Sequence, residues 1–323
     1  MIFNDPSSTP EQTAQALERL TKAAEAGQDC AQYALGKIYR DGQGVEKDIQ
    51  KAVALFTLAA TKENSFAAFA LGKLYLAGDA ALPRDPAAAL KWLTYAAELG
   101  NQFAQYRLGK LLLKGDDGIP KDVITAIRWL TAAAKQENGY AEYALALVYL
   151  TGEDAPKDSV KALSLLKRSA GRGNQFAQYR LGKLLLQGED APKDVKAAIR
   201  WLTAAAEQGN QYAQYALGKL YLLGKEVPKD RSSAIKWFQL AADQGNEYAQ
   251  YFLKHMDDRL GQPPVAAVIS LFHHLANIFQ EQNQPPPSGG VRVAVDRKLL
   301  RKIKAKKIAQ GHKADDHEPE MQL

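Results

Sequence analysis

Cysteine is almost absent from this chain, which has 323 residues and a single thiol at Cys30. One thiol excludes an intrachain disulfide and any metal site built from several thiolates. A nucleophilic cysteine also needs a neighbouring base or positive charge that lowers its pKa. We find no sequence signal for such a base, so we interpret Cys30 as a buried, inert thiol.

Long apolar segments are also missing. No apolar run approaches the ~20 residues that a membrane-spanning helix needs. The opening segment MIFNDPSSTPEQ has neither a basic start nor an apolar core, so it does not resemble a secretory signal. A hydrophobic fraction of 46% and a charged fraction of 24% are typical of a globular chain. We therefore expect a cytoplasmic protein without a membrane span.

The sequence also lacks the clusters of polar residues that enzymes and metal sites need. Its five histidines are scattered, and the adjacent pair His273 and His274 would point about 100° apart on a helix rather than chelating one metal. Glycines occur singly or in turns before acidic residues, so no phosphate-cradling loop is evident. The sequence therefore predicts no catalytic residue, no metal site and no cofactor.

An internal repeat is the dominant feature of the chain. The thirteen letters NQFAQYRLGKLLL at 101–113 return unchanged at 174–186. A looser pattern, A-x-x-x-L-G, recurs with its glycine position every 36 or 37 residues, although Ala146 and Lys254 replace the glycine in two copies. The glycines of the other copies are Gly36, Gly72, Gly109, Gly182 and Gly218. This period accommodates two helices of ~12–14 residues with their turns.

The segments between these copies predict how each helix pair is built. A turn of the form G-x-x-x-P-K-D recurs, in which proline would stop the first helix and aspartate would cap the second. The second helix then carries an aromatic–aliphatic pair followed by alanines, as in Trp129-Leu130. A further helix should begin at Thr9-Pro10, and we interpret it as a terminal cap, with a domain boundary as the alternative.

Taken together, A-x-x-x-L-G-x-x-Y, G-x-x-x-P-K-D, A-x-x-W-[LF] and A-A-x-x-G resemble the Sel1-like repeat family, a relative of the tetratricopeptide repeat, over residues 11 to about 256. The resemblance implies an all-α fold: a right-handed α-solenoid of about seven antiparallel helix pairs. It also implies a non-catalytic scaffold or adaptor that binds protein or peptide partners through a concave face lined by the first helices. The repeat at 140–170 departs most from the pattern.

Three positions of the first helix fall on one helical stripe, at offsets −1, +2 and +6 from the repeat alanine. If exposed, this stripe is an aromatic ladder edged with positive charge, suited to a peptide or amphipathic helix with acidic groups. Alternatively, the aromatic rings pack between repeats and the lysines are solvated. The −1 row is Cys30, Phe66, Phe103, Tyr140, Phe176, Tyr212 and Tyr248; the +2 row is Tyr33, Phe69, Tyr106, Tyr143, Tyr179, Tyr215 and Tyr251; the +6 row is Lys37, Lys73, Lys110, Leu147, Lys183, Lys219 and His255.

The last part of the chain has a different composition. We assign 1–280 to the solenoid, which VAAVISLFHHLANIFQ would close, 281–290 to a Pro/Gly linker and 291–323 to a basic helix with a disordered tail. Residues 291–313 hold nine Lys/Arg against one Asp296. These bases either contact nucleic-acid phosphates or form a solvated helix. The candidate contacts are Arg297, Lys298, Arg301, Lys302, Lys304, Lys306 and Lys307. Leu299, Leu300 and Ile303 also offer a short apolar edge against a partner or a membrane surface.

A second resemblance concerns this tail. The segment VDRKLLRKIKAKKIAQGHKADDHE resembles the C-terminal end of relaxases from mobile elements, in which Sel1-like repeats follow the nicking domain. The resemblance implies an alternative function, a nucleic-acid-associated accessory module of plasmid or mobile-element mobilisation. Nicking itself requires a metal-binding histidine cluster and a tyrosine nucleophile in an α/β domain, and we find neither that domain nor that cluster in the sequence.

Overall fold

The computed structural model describes residues 9–115 and 118–256. Within these residues the chain forms fourteen helices and no strand beyond an isolated bridge between Asp79 and Leu82. The helices are α1 Pro10–Glu25, α2 Asp29–Asp41, α3 Ile49–Ala60, α4 Ser65–Ala77, α5 Pro86–Glu98, α6 Gln102–Lys114, α7 Val123–Lys135, α8 Gly139–Thr151, α9 Ser159–Gly171, α10 Gln175–Gln187, α11 Val195–Glu207, α12 Gln211–Leu223, α13 Arg231–Asp243 and α14 Glu247–Met256.

Each helix packs on the helices before and after it in the chain. We call the even-numbered helices from α2 to α14, which carry the A-x-x-x-L-G pattern, A helices, and the odd-numbered helices B helices. Six complete pairs run from α2 to α13, between α1, which is a B helix, and α14, which is an A helix. The prediction of an all-α solenoid of helix pairs is therefore confirmed. The predicted closing helix, the linker and the basic tail lie outside the described residues.

Close packing inside five of the six pairs depends on the repeat glycine. A Cβ on Gly109 of α6 would lie 2.6 Å from Cγ of Leu130 and 3.0 Å from the carbonyl oxygen of Ala126, both on α7. Leu130 is completely buried. The glycine therefore lets the A helix approach the B helix of its own pair. In the fourth copy, Ala146 takes this place and is also fully buried.

Side-chain caps fix the helix ends. Aspartates accept hydrogen bonds from backbone N–H groups in the first turn of every B helix from α3 to α13, for example Asp122 from Thr125 at 3.0 Å. The expectation that proline stops the A helices is wrong. Helix α10 ends at Gly188, whose φ of 76° is left-handed, and Pro192 comes only afterwards. The turn glycine ends the A helix because it adopts this conformation without a Cβ clash.

Asparagines begin the A helices rather than closing the B helices. Asn101 is buried and its side chain accepts from the backbone N–H groups of Phe103 and Ala104, at 3.1 and 3.0 Å. A left-handed residue precedes each of these asparagines and also Gln28, which begins α2 without a side-chain cap. It is glycine in five copies: Gly27, Gly100, Gly173, Gly209 and Gly245. In the other two copies Glu63 and Glu137 take this conformation, with φ of 62° and 65°.

Glutamine at the position after the repeat alanine links three successive helices, a role that we did not predict. Nε2 of Gln178 donates to the carbonyl of Ala170 on the preceding B helix at 3.1 Å. Its Oε1 accepts from Gln208, just after the following B helix, at 2.7 Å. Gln105 and Gln214 make the same two hydrogen bonds. This arrangement joins consecutive pairs through buried polar groups, which must be satisfied to be tolerated.

Candidate functional site

The candidate surface, which we call the A-helix face, consists of the −1, +2 and +6 rows. Its first row is set by the asparagine caps, because the −1 residue is the second residue of each A helix. Five of its rings keep between 43% and 55% of their surface exposed. These rings belong to Phe66, Phe103, Tyr140, Phe176 and Tyr212. Tyr248 is intermediate, while Cys30 is exposed, so our interpretation of Cys30 as a buried thiol is wrong.

The +2 row lies deeper in the same face. All its members are half-buried except Tyr251, which is 43% exposed. Each ring from the first to the sixth copy contacts the −1 ring of the next copy, with centroids 5.9–6.4 Å apart. The six pairs are Tyr33–Phe66, Phe69–Phe103, Tyr106–Tyr140, Tyr143–Phe176, Tyr179–Tyr212 and Tyr215–Tyr248.

The two alternatives for the aromatic stripe therefore combine. The +2 ring packs between repeats, and the −1 ring both completes that packing and presents about half of its surface outward. Offset and tilted ring pairs at these separations add about 0.5–1.5 kcal/mol each beyond their burial. The result is a row of six aromatic pairs, each joining two successive repeats, in which the −1 rings are partly exposed.

The +6 lysines edge these rings. Nζ of Lys37 lies 5.8 Å from the ring centroid of Tyr33, and Nζ of Lys73 lies 5.8 Å from that of Phe69. Lys37 and Lys219 are half-buried, whereas Lys73, Lys110 and Lys183 are exposed. Leu147 interrupts this row in the fourth copy. The side chain of His255 lies outside what the structure describes.

Charge and burial shift the pKa values of several groups on this face. Desolvation raises the pKa of the phenol groups of Tyr106, Tyr143 and Tyr179. A nearby arginine charge opposes this rise in each case, and neighbouring tyrosines add to it. Desolvation also lowers the pKa of Lys183, and the positive charge of Arg180 lowers it further. The three half-buried phenols therefore lie in a partly dehydrated setting, where a polar contact is stronger than at an open surface.

Two basic residues on this face were not among the predicted site residues. Arg107 and Arg180 occupy the +3 position of α6 and α10, next to Tyr106 and Tyr179. The charge of Arg180 acts on Tyr143, Tyr179 and Lys183. The signal was present in the repeated string NQFAQYRLGKLLL, but only two copies carry this arginine, so a consensus of all copies hides it.

Residues 9–115 and 118–256 contain neither a metal-ligand cluster nor a membrane-spanning helix. No group of three or more His, Cys, Asp or Glu side chains there is placed to hold a metal ion. None of the helices in these two ranges is both long and apolar enough to cross a bilayer. The candidate nucleic-acid contacts from Arg297 to Lys307 lie outside them and stay predictions.

Comparison with known proteins gives the family of the repeat. The Sel1 repeat model matches residues 31–64, 65–101, 102–138, 139–174, 175–210 and 211–246. Each matched segment holds one A helix, or nearly all of it, and the B helix that follows. No curated protein is a significant match.

Two solved structures resemble this chain. One is c5321, a protective antigen of uropathogenic Escherichia coli strains with an SLR fold, with a TM-score of 0.68 and 34% sequence identity over 80% of this chain. The chain covers 56% of that protein's length. The other is a Sel1 repeat protein from Oxalobacter formigenes, with a TM-score of 0.68 and 34% identity over 77% of this chain and 71% of that one.

Proposed function

Because this chain belongs to the Sel1 repeat family, we propose that it is a non-catalytic scaffold that binds protein or peptide partners through its A-helix face. The observation that carries this proposal is the row of −1 rings, which stay about half exposed although each contacts a +2 ring of the preceding copy. Exposed apolar side chains that repeat along one face are typical of interaction sites in proteins.

The construction of the face also supports binding. Its rings are fixed by contacts between repeats and by buried asparagine caps, so a partner would meet an ordered surface. An ordered binding surface loses less conformational entropy on association than a flexible one. Aromatic and basic side chains are also the residue types that most often dominate binding energy at interfaces.

A paired substitution tests the proposal. Phe103→Ala with Phe176→Ala removes two exposed rings at identical positions of α6 and α10. The matched control is Ile124→Ala with Val160→Ala, which removes two apolar side chains that are 85% and 83% exposed on B helices. We expect capture of a partner from a host lysate, followed by titration with the purified partner, to show at least about tenfold weaker binding for the first variant only.

The control decides what the result means. Both variants should keep the helical circular dichroism of the parent protein. The thermal midpoint of the control should stay within a few degrees, whereas Phe103→Ala/Phe176→Ala should lower it by several degrees because it removes the ring contacts with Phe69 and Tyr143. Binding is therefore compared at a temperature well below both midpoints. Equal loss of the partner in both variants, or unchanged capture by Phe103→Ala/Phe176→Ala, would contradict binding through the A-helix face.

A second candidate function rests on sequence outside the described residues. Nine Lys/Arg against one Asp296 in residues 291–313 favour nucleic-acid association, as an accessory module of mobile-element mobilisation. Binding to duplex DNA that weakens steeply with salt, and that is lost when seven of these bases are changed to glutamine, would favour this function. The same seven changes should leave a partner of the A-helix face bound if the scaffold function is correct. The seven bases are Arg297, Lys298, Arg301, Lys302, Lys304, Lys306 and Lys307.

A further inference from the structure

The A helices from α4 to α12 are strongly basic. They carry seven Lys/Arg and one acidic residue, Glu142. Glu142 is completely buried and is paired with Arg168, so it does not neutralise these bases. The seven bases are Lys73, Arg107, Lys110, Lys114, Arg180, Lys183 and Lys219. This charge complements an anionic partner.

The bases are concentrated in two identical clusters. Helix α6 carries Arg107 and Lys110, and helix α10 carries Arg180 and Lys183 at the same positions of an identical sequence. Within the two described ranges none of these four side chains makes an ion pair. Nε of Arg180 is buried and has no hydrogen-bond partner there, although an unpaired buried donor is costly.

The helix between the two clusters is apolar at the same positions. In α8, Ala144 replaces the arginine and Leu147 replaces the lysine, while Tyr140 and Tyr143 continue the aromatic row. Tyr140 contacts Tyr106 of α6 at 6.0 Å, and Tyr143 contacts Phe176 of α10 at 6.3 Å. From α6 to α10 the face is therefore basic, then apolar, then basic, and aromatic pairs join α6 to α8 and α8 to α10.

Resting on the proposed function, we infer that this part of the A-helix face binds a peptide segment with two acidic groups that flank an apolar stretch. Neighbouring helices lie about 10 Å apart, so the two basic clusters are about 20 Å apart. An extended chain advances ~3.3–3.6 Å per residue, so the acidic groups should be about six residues apart. The central apolar side chains would contact Tyr140, Tyr143 and Leu147.

Labelled peptides test the pattern directly. The first has glutamate pairs about six residues apart with leucine, valine and serine between them. The second has the same composition with all glutamates in the centre. We expect fluorescence anisotropy with the full chain to show at least about tenfold tighter binding of the first, and affinity that falls as salt rises. Equal affinities would overturn the inference.

Two variants, each of which removes one base, test whether each basic cluster contacts one glutamate pair of the peptide. Lys110→Ala and Lys183→Ala should each weaken binding of the first peptide about tenfold, as expected for loss of one charge-assisted contact. Neither variant should weaken binding of a peptide in which the glutamate pair that contacts the substituted cluster is replaced by glutamine. The matched control is Lys196→Ala on α11, which removes the same charge from an exposed B-helix position. Comparable weakening by Lys196→Ala would overturn the assignment.

A third variant should reverse the preference. Leu147→Lys makes the basic row continuous across α8, so the peptide with central glutamates should gain affinity about tenfold while the first peptide loses its apolar contact. Because Leu147 is half-buried, thermal unfolding checks that the variant folds. An unchanged ranking of the two peptides in folded Leu147→Lys would overturn the pattern.

Other occupants are distinguishable in the same assay. A single-stranded DNA oligonucleotide that binds as tightly and depends on Lys110 and Lys183 would overturn the assignment to a peptide. Peptide affinity that rises when Asp315, Asp316 and Glu318 are changed to their amides would identify the acidic end of the chain as the occupant instead. A third outcome is that acidic peptides fail to bind while partner capture remains sensitive to Phe103→Ala/Phe176→Ala. This outcome would overturn the inferred charge pattern but would leave the scaffold function supported.

Discussion

Arg168 on α9 places Nη2 at 2.6 Å from a carboxylate oxygen of Glu142 on α8, and that carboxylate has no exposed surface. The contact is an ion pair rather than an aligned hydrogen bond. Nη2 also donates to the carbonyl of Ala134 at 3.4 Å. In other copies a glutamine side chain donates to the equivalent carbonyl, as Gln178 does to Ala170. Arg168 therefore supplies the donor that Glu142 lacks.

Arg168→Ala should destabilise the protein, because it leaves a buried carboxylate with only Arg172, whose Nε is 3.4 Å away. Breaking a fully buried pair costs ~3–5 kcal/mol, and we expect about 2 kcal/mol here, since Arg168 is half exposed and Arg172 remains. The measurement is the free energy of unfolding in urea.

Glu142→Gln should rescue that variant. A glutamine at this position can donate to Ala134, so Glu142→Gln/Arg168→Ala should recover about 1 kcal/mol relative to Arg168→Ala. Arg200→Ala on the exposed surface of α11 is the control and should change stability by less than about 0.5 kcal/mol. Additive effects of the two substitutions would show that the residues are not coupled.

Two helical glycines should respond in opposite directions to alanine. In Gly109→Ala the new Cβ would meet Leu130 at 2.6 Å, so we expect a loss of about 1–3 kcal/mol from overpacking. At Gly171, near the end of α9, nothing lies within 4 Å of the added Cβ, so Gly171→Ala should gain about 0.5–1 kcal/mol. Thermal midpoints that move in the same direction would contradict this account of the repeat glycine.

Replacing Glu63 with glycine should stabilise the protein. The φ of 62° at Glu63 is left-handed, a conformation that costs a residue with a Cβ about 1–2 kcal/mol and that Gly100 adopts in the equivalent turn. After the entropic cost of glycine is subtracted, Glu63→Gly should raise the free energy of unfolding by about 0.5–1 kcal/mol. Glu63→Ala removes the same carboxylate but keeps a Cβ, and it should give no such gain. Equal effects of the two changes would assign the gain to charge instead.

Sequence reasoning located the A-helix face because offsets of −1 and +2 from an alanine follow the helical period. It could not tell that Tyr106 contacts Tyr140 of the next copy, since that contact depends on how successive pairs are spaced. The prediction that Cys30 is buried was wrong for a related reason. It occupies the −1 position of the first copy, where no preceding A helix is described that could contribute a +2 ring.

The polar links between repeats escaped sequence reasoning altogether. Gln105 is next to the aromatic residues of its helix in sequence, and a polar residue at such a position is ordinarily expected to be exposed to solvent. In the structure it is buried, with its amide nitrogen on Ala97 and its oxygen accepting from Gln136. A glutamine that recurs at one offset from the repeat alanine was the available signal, but its partners belong to neighbouring pairs and only the packed structure shows them.

The pH dependence of stability at alkaline pH should reveal the raised pKa values of the half-buried tyrosines in the +2 row. Burial and the neighbouring tyrosines raise the pKa of Tyr179 above its ordinary value of about 10, while the charge of Arg180 acts in the opposite direction. A group with a raised folded-state pKa contributes stability below its unfolded pKa and loses it as pH rises through the folded pKa. The unfolded chain releases the phenol proton first, so the free energy of unfolding should fall above about pH 10.

Tyr179→Phe should reduce this loss between about pH 8 and about pH 11, measured as urea midpoints at each pH. Lys183 and Lys219 have lowered pKa values, which act in the opposite direction up to about pH 10.5, so only the difference from the parent protein isolates the tyrosine. Tyr143→Phe should act similarly, because burial raises the pKa of that phenol as well. An unchanged pH dependence in both variants would show that the row of half-buried phenols does not resist ionisation.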